Sequence, residues 1–171
     1  MNDLFARRTS VRKFKPDALS QETIDRLLQA AIDAPSAGNK QPWHFYVVKN
    51  DQLREGLCAH AYNQRFISEA PVAIVVCADP ARCAERYEQR GIELYCLQDT
   101  AAAIENILLC AVMNDLGGCW VGAFDEAGVS GVLNLPAAHR PIAILAIGHP
   151  LNPVGARRPR RPMEEVVSTL E

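Results

Sequence analysis

The start of this 171-residue chain holds no apolar stretch long enough to serve as a signal-peptide core, and no membrane span is expected from its apolar runs. The longest strongly apolar strand-like run is Val72–Ala78, whereas a spanning helix needs about 20 residues. A cytoplasmic protein without a membrane partner is the resulting expectation. No Cys-x-x-Cys pair occurs among the six cysteines (Cys58, Cys77, Cys83, Cys96, Cys110, Cys119), and most stand inside apolar segments. Buried free thiols are therefore expected, not a disulfide framework or a thiolate metal site. Cys58 and Cys83, in more polar surroundings, are the two that keep a redox reading open. The histidines His44, His60, His139 and His149 show no metal-ligand spacing, so no metal is expected. There is no Gly-x-Gly-x-x-Gly after a strand, no Walker-type loop and no Gly-x-Ser-x-Gly elbow, which removes a Rossmann dinucleotide site, a P-loop nucleotidase and a serine hydrolase of that kind. Neither sign of charge dominates: 18 lysines and arginines against 20 acids leave a net charge of -2, not the balance of a nucleic-acid binder. With no protein nucleophile or acid–base pair in view, a bound cofactor is the expected carrier of chemistry.

What is present fits one domain over residues 1–171, within the roughly 100 to 200 residues usual for a compact unit. Ser20, followed by Ile24, Leu27, Leu28, Ala31 and Ile32 at three-and-four spacing, predicts a capped amphipathic helix ending before Pro35. Trp43–Val48 is aromatic and β-branched and predicts a strand; Asn50-Asp51 then turns the chain into a short helix over residues 52–60. Val72–Ala78 predicts a central strand buried on both faces. Residues 79–97 read as a short linker. Residues 98–116 predict a helix that is apolar on nearly every side, a face pattern that one chain of this size would not cover, so it is expected at a dimer interface. Gly117-Gly118 is expected to end that helix. A short strand over residues 119–122, a helix over Glu126–Leu133 and a buried strand over residues 142–147 follow.

Positive charge is concentrated at the two ends of the chain. Arg7-Arg8-Thr9-Ser10-Val11-Arg12 interleaves guanidinium groups with hydroxyls, both good ligands for phosphate oxygens. Residues 152–162 hold three prolines and the arginines Arg157, Arg158, Arg160 and Arg161, an extended segment. Chain ends often lie together in compact domains, so the two clusters are expected to share one polyanionic ligand. The loop Pro35-Ser36-Ala37-Gly38-Asn39-Lys40-Gln41-Pro42-Trp43 places two amides, Asn39 and Gln41, where they can read the edge of a heterocycle.

Four separated motifs then coincide in order: residues 7–14 (RRTSVRKF), 34–43 (APSAGNKQPW), 117–125 (GGCWVGAFD) and 158–162 (RPRRP). With them the chain resembles the nitroreductase family of FMN-dependent NAD(P)H oxidoreductases over nearly its whole length, as a short single-domain member. The resemblance implies an α+β fold in three layers (α/β/α), with a central, mostly antiparallel sheet flanked by helices, working as a homodimer with the active site at the subunit interface. It implies FMN as cofactor and NAD(P)H as electron donor, with electrons passing by a ping-pong mechanism to an electron-poor small molecule such as a nitroaromatic or a quinone. The alternatives within the same resemblance are an FMN-binding carrier or sensor without turnover and a non-reductive relative.

The cofactor-binding positions it implies are Arg7, Arg8, Thr9, Ser10 and Arg12, which meet the flavin phosphate, ribityl chain and pyrimidine edge, with Arg158 and either Arg160 or Arg161 completing the phosphate grip. Pro35, Ser36, Ala37, Asn39 and Gln41 come from the second subunit. Asn63 approaches the pyrimidine edge. Trp120, Val121, Gly122 and Ala123 pass the ring, with the backbone N–H near Gly122 at the reactive ring nitrogen. The family's lysine in this region is Phe66 here, with Arg65 as a substitute. No side chain is expected to be catalytic, because the flavin carries the chemistry. Where larger relatives carry helices over the site, residues 79–97 lead to the expectation of a more open pocket.

Overall fold

The computed structural model describes residues 4–153, 155 and 158–171; Arg157 lies outside them. In chain order the elements are α1 (Leu4–Arg7), α2 (Gln21–Ile32), β1 (Trp43–Val48), α3 (Asp51–His60), α4 (Phe66–Glu69), β2 (Val72–Ala78), α5 (Pro80–Arg90), α6 (Cys96–Met113), β3 (Gly117–Val121), α7 (Glu126–Leu133) and β4 (Arg140–Gly148). Short polar side chains start three of the helices by taking an otherwise unpaired backbone N–H: Ser20 that of Thr23, Asn50 that of Leu53 and Asp125 that of Ala127. Such a cap is worth about 1 kcal/mol.

The strands form one sheet in the order β1-β2-β4-β3, every neighbouring pair antiparallel. β2 is buried throughout, and its residues alternate between two cores as the strand period requires. Val72, Ile74 and Val76 pack with Leu27 and Ala31 of α2 and Ile104 and Ile107 of α6. Ala73, Val75 and Cys77 pack with Leu57 of α3, Ile67 of α4 and Val129 of α7. Two helical layers on one antiparallel sheet make the expected α/β/α arrangement. They also explain why β2 reads as an unbroken apolar run.

Three local expectations are corrected. The pair Gly117-Gly118 does not end α6, which stops at Met113; the left-handed residue that turns the chain is Asp115, at φ 55°. The two glycines instead open β3, where the chain is too crowded for side chains. A Cβ on Gly117 would collide with Val11 Cγ2, and one on Gly118 would lie 2.8 Å from Leu108 Cδ2. Residues 79–97 are not an open linker but α5 and one wide helical turn, Gly91–Tyr95, anchored by buried Cys83 and Cys96. Finally, α6 finds most of its cover within its own chain. Ala103, Ile104, Ile107, Leu108, Ala111 and Val112 are buried, leaving a strip on which Ala101, Glu105 and Leu109 are half-buried and Met113 is exposed. The helical stretch Pro80–Met113 has the length and hydropathy of a membrane span, yet half of its apolar portion is buried inside the protein.

All six cysteines are free, Cys58 and Cys83 among the buried ones. Burial pushes the Cys83 thiol up to about 11 and the Cys77 thiol up to about 12, so neither is a thiolate near neutral pH.

Candidate functional site

The two ends of the chain meet beside β3. The segment after α1 runs along the outer edge of that strand: Ser10 pairs with Gly118 in a parallel bridge, and the Val11 N–H donates to the Gly118 carbonyl at 3.0 Å. Further on it is laced to the chain beyond β4. The Lys15 N–H donates to the His149 carbonyl at 2.8 Å and the Leu151 N–H to the Lys13 carbonyl at 2.9 Å, with Phe14 bridging to Pro150. Gly117 and Gly118 allow this close approach, because any side chain there would displace Val11 or Leu108.

The lacing gathers Arg8, Thr9, Ser10 and Arg12 from one end and Gly155, Arg158 and Arg160 from the other around a cleft of about 290 Å³. Arg8 Nε meets the Glu105 carboxylate of α6 at 3.2 Å. Arg12, Arg158 and Arg160 pair with no carboxylate among the described residues. Four guanidinium groups with one acid between them leave a local excess of positive charge, and the hydroxyls of Thr9 and Ser10 add small donors. That is the donor set of a phosphate site.

Two neighbouring arginines go elsewhere. Arg7 donates to the Val112 carbonyl at 3.2 Å and pairs with Asp115 at 3.3 Å, tying α1 to the end of α6 and lining an adjacent cavity instead of the cleft. Arg161 pairs with Glu165 at 3.0 Å. Between Arg160 and Arg161, it is Arg160 that lines the cleft.

From the cleft the surface continues past the end of β3. The Arg12 guanidinium sits over the Phe66 ring, 5.6 Å from its centroid. Burial raises the pKa of the neighbouring Cys119 thiol, and the Arg12 charge offsets part of that rise. Trp120 is partly exposed, Val121 is buried, and Gly122 and Ala123 are exposed, with open space where a Gly122 Cβ would stand. Asn63 lies in the turn just after α3, left-handed at φ 57°. The same turn is held to this strand end by Gln64 Nε2 donating to the Ala123 carbonyl at 3.1 Å and by the Asp125 N–H donating to the His60 carbonyl at 2.8 Å. Arg65 is exposed at the start of α4. Arg12 thus links the cationic cleft to an apolar ring, and the end of β3 offers exposed backbone at Gly122 and Ala123.

The loop of residues 35–43 is elsewhere. Gly38, Asn39 and Gln41 are all left-handed, at φ 55°, 56° and 49°. The Ser36 hydroxyl accepts the Gln41 N–H at 3.0 Å, and Gln41 Nε2 donates to Asn39 Oδ1 at 3.2 Å. Buried Asp99 at the start of α6 accepts the Ala37 N–H with both oxygens, at 3.1 and 3.2 Å. On the other side Lys40 pairs with Glu85 at 2.6 Å and Arg82 Nε donates to the Lys40 carbonyl at 3.1 Å. None of Pro35, Ser36, Ala37, Asn39 and Gln41 lines the arginine cleft. The loop is fixed to α6 at Asp99, whereas the cleft touches that helix through Arg8 at Glu105, six residues and about 9 Å further along at roughly 1.5 Å per residue. Sequence reasoning missed Asp99, Glu105 and the Phe66 platform; an acid alone in the apolar run that becomes α6 was the available signal for the first two.

The nitroreductase family matches this chain over residues 5–64 and 56–149. A Methanothermobacter thermautotrophicus protein, provisionally designated an NADH dehydrogenase/NAD(P)H nitroreductase, is 33% identical over 155 residues, 88% of this chain and 77% of its own. The FMN reductase (NADPH) of Bacillus subtilis is 29% identical over 92% of this chain and 68% of its own. The crystal structure of the NADPH:FMN oxidoreductase of Vibrio harveyi complexed with NAD+ superimposes with a TM-score of 0.89 at 26% identity, covering 99% of this chain and 76% of that one.

Proposed function

This chain belongs to the nitroreductase family, and on that premise we propose that it is an FMN-dependent oxidoreductase taking electrons from NAD(P)H to an electron-poor small molecule, a nitroaromatic or a quinone. The observation that carries the reading is the cleft in which Arg8, Arg12, Arg158 and Arg160 converge from distant parts of the chain, where the Ser10 segment pairs with β3 at Gly118. FMN bound there would supply the redox chemistry, hydride acceptance from NAD(P)H and electron donation to the acceptor in a ping-pong cycle.

The protein's part is binding and electrostatics. Arg8, Arg158 and Arg160 hold the phosphate, with Thr9 and Ser10 as hydroxyl donors. Arg12, held over Phe66 and without an acidic partner among the described residues, stabilises negative charge at the pyrimidine edge on reduction. The exposed backbone at Gly122 would offer its N–H to the reactive ring nitrogen. The residues Pro35, Ser36, Ala37, Asn39 and Gln41, none of which lines the cleft of its own chain, serve the cleft of a second copy, so that the working unit is a homodimer.

The absorbance spectrum of the purified protein, followed by anaerobic mixing with NADH and with NADPH, tests this. A yellow protein bleached by one of the two is expected. A colourless protein that also fails to take up added FMN would overturn the reading. A yellow protein bleached by neither would reduce it to a flavin carrier.

A further inference from the structure

α5 and the turn after it carry an array that neither the core nor the arginine cleft uses. The Arg86 guanidinium stands 5.4 Å from the Tyr87 ring centroid and that of Arg90 5.3 Å from the Tyr95 centroid. The two tyrosine rings meet edge to face, 5.0 Å apart, and Arg90 Nε donates to the Tyr95 hydroxyl at 2.9 Å. Both arginines are exposed, both rings half-buried. Neither guanidinium pairs with a carboxylate among the described residues. Of the acids on the same segment, Glu85 is held by Lys40 and Glu93 accepts from Gln89, while Glu88 is exposed at the kink in α5.

This array lies directly on the loop of residues 35–43. A Cβ on Gly38 would meet the Tyr87 hydroxyl oxygen at 2.6 Å and Arg86 Nη1 at 3.1 Å. The phenol and the guanidinium therefore sit side by side over the left-handed glycine between Ala37 and Asn39. The Tyr87 hydroxyl has no hydrogen-bond partner among the described residues. A guanidinium stacked on a tyrosine keeps its plane fixed and its N–H edge free. Next to a free phenol O–H, that edge is a ready receptor for carboxylate or phosphate oxygens.

We propose that Arg86 and Tyr87 are the substrate-selecting edge of the active site, binding the anionic group of an aromatic substrate through its carboxylate or phosphate oxygens. Either the electron acceptor or NAD(P)H carries that group. The inference rests on the reading above, in which residues 35–41 face the flavin of a second copy. Arg86 and Tyr87 accompany that loop because Gly38 leaves no side chain between them, and Tyr95 and Arg90 hold Tyr87 from behind.

The test titrates the FMN-loaded protein and its Arg86→Gln and Tyr87→Phe variants by calorimetry with benzoate, benzamide and NADP+, none of which is turned over. For Arg86→Gln, binding of benzoate or of NADP+ is expected to weaken about tenfold, as for loss of a hydrogen bond to a charged group. Tyr87→Phe weakens the same ligand less, and benzamide affinity and FMN content stay unchanged. A loss confined to benzoate assigns the edge to the acceptor, a loss confined to NADP+ to the dinucleotide phosphate, and both support the proposal. Unchanged affinities for all three ligands in Arg86→Gln overturn it, as does an unsubstituted protein that binds neither benzoate nor NADP+. Failure of NADH and NADPH to bleach the unsubstituted protein strikes the reductase reading instead, and leaves the comparison of benzoate with benzamide to be read separately.

Discussion

The arginine cleft and the loop of residues 35–43 are built on opposite principles. The cleft is made of charge with little packing. Its side chains come from extended segments outside the helices and strands, most of them exposed, and three of its four arginines have no acid partner among the described residues. The loop is made of packing with little free charge: Asp99 grips it from below, Lys40 and Arg82 tie it to α5, and Gly38 lies against Tyr87. An unpaired cation tolerates exposure and waits for its counter-charge. A recognition loop offering backbone and amides has to be held in shape before anything arrives, because immobilising it at binding costs affinity.

That contrast can be broken at the point where the cleft does depend on packing. Gly117→Val would drive two methyl groups into Val11, and overpacking of this kind costs about 3 kcal/mol. The urea midpoint should fall and the segment with Ser10 and Arg12 should leave β3, so that FMN retention is lost together with stability; a variant that keeps both would show that the edge pairing is dispensable.

Asp99 probes the loop. Asp99→Ala leaves the partly buried Ala37 N–H without its acceptor, at about 1 kcal/mol, whereas Asp99→Asn keeps one. Burial raises the Asp99 carboxyl above the ordinary carboxylate range, an effect partly offset by the Ala37 N–H and the Cys83 thiol. The folded chain then holds a proton that the unfolded chain has released, so this group's contribution is greatest below the unperturbed value of roughly 3.9. It is lost as pH rises through the raised folded-state value. Urea midpoints at about pH 4 and 7 should shift in favour of Asp99→Asn relative to wild type as pH rises; parallel curves would remove Asp99 as a buried titrating anchor.

Charge alone is tested in the cleft. Arg160→Ala should weaken FMN binding about tenfold, the scale of a lost hydrogen bond to a charged partner, without moving the urea midpoint of the apoprotein. Arg161→Ala, whose partner is Glu165, should leave the FMN dissociation constant as it is. Equal losses at the two positions would place both guanidinium groups in the cleft.

The layers of the fold were legible where a local rule and the tertiary surroundings agree. Ser20 caps α2 as its position predicts, and Val72–Ala78 is central because two helical layers cover it. The reading failed where a residue answers to a distant neighbour. Gly117-Gly118 follows a helix and looks like its terminator, but its reason is Val11, more than a hundred positions earlier. Residues 79–97 look like a short linker beside the helices of larger relatives, yet the burial of Cys83 and the docking of Tyr87 on Gly38 fold them into α5. Within the site, the sequence marked both arginine clusters as anion ligands. It could not tell which of two adjacent arginines turns away, since Arg7 answers to Asp115 and Arg161 to Glu165.

The meeting of Arg8 and Arg12 with Arg158 and Arg160 bears on the order in which the protein matures. It joins residues 8–12 to residues 158–160, and during synthesis it has to wait until residue 160 has emerged. The sheet and its two helical layers need none of the last dozen residues, so a compact but ligand-incompetent species should precede the finished one. An anion that binds only the closed cleft then stabilises the finished form by mass action. Cofactor occupancy would in this way report that synthesis has passed residue 160.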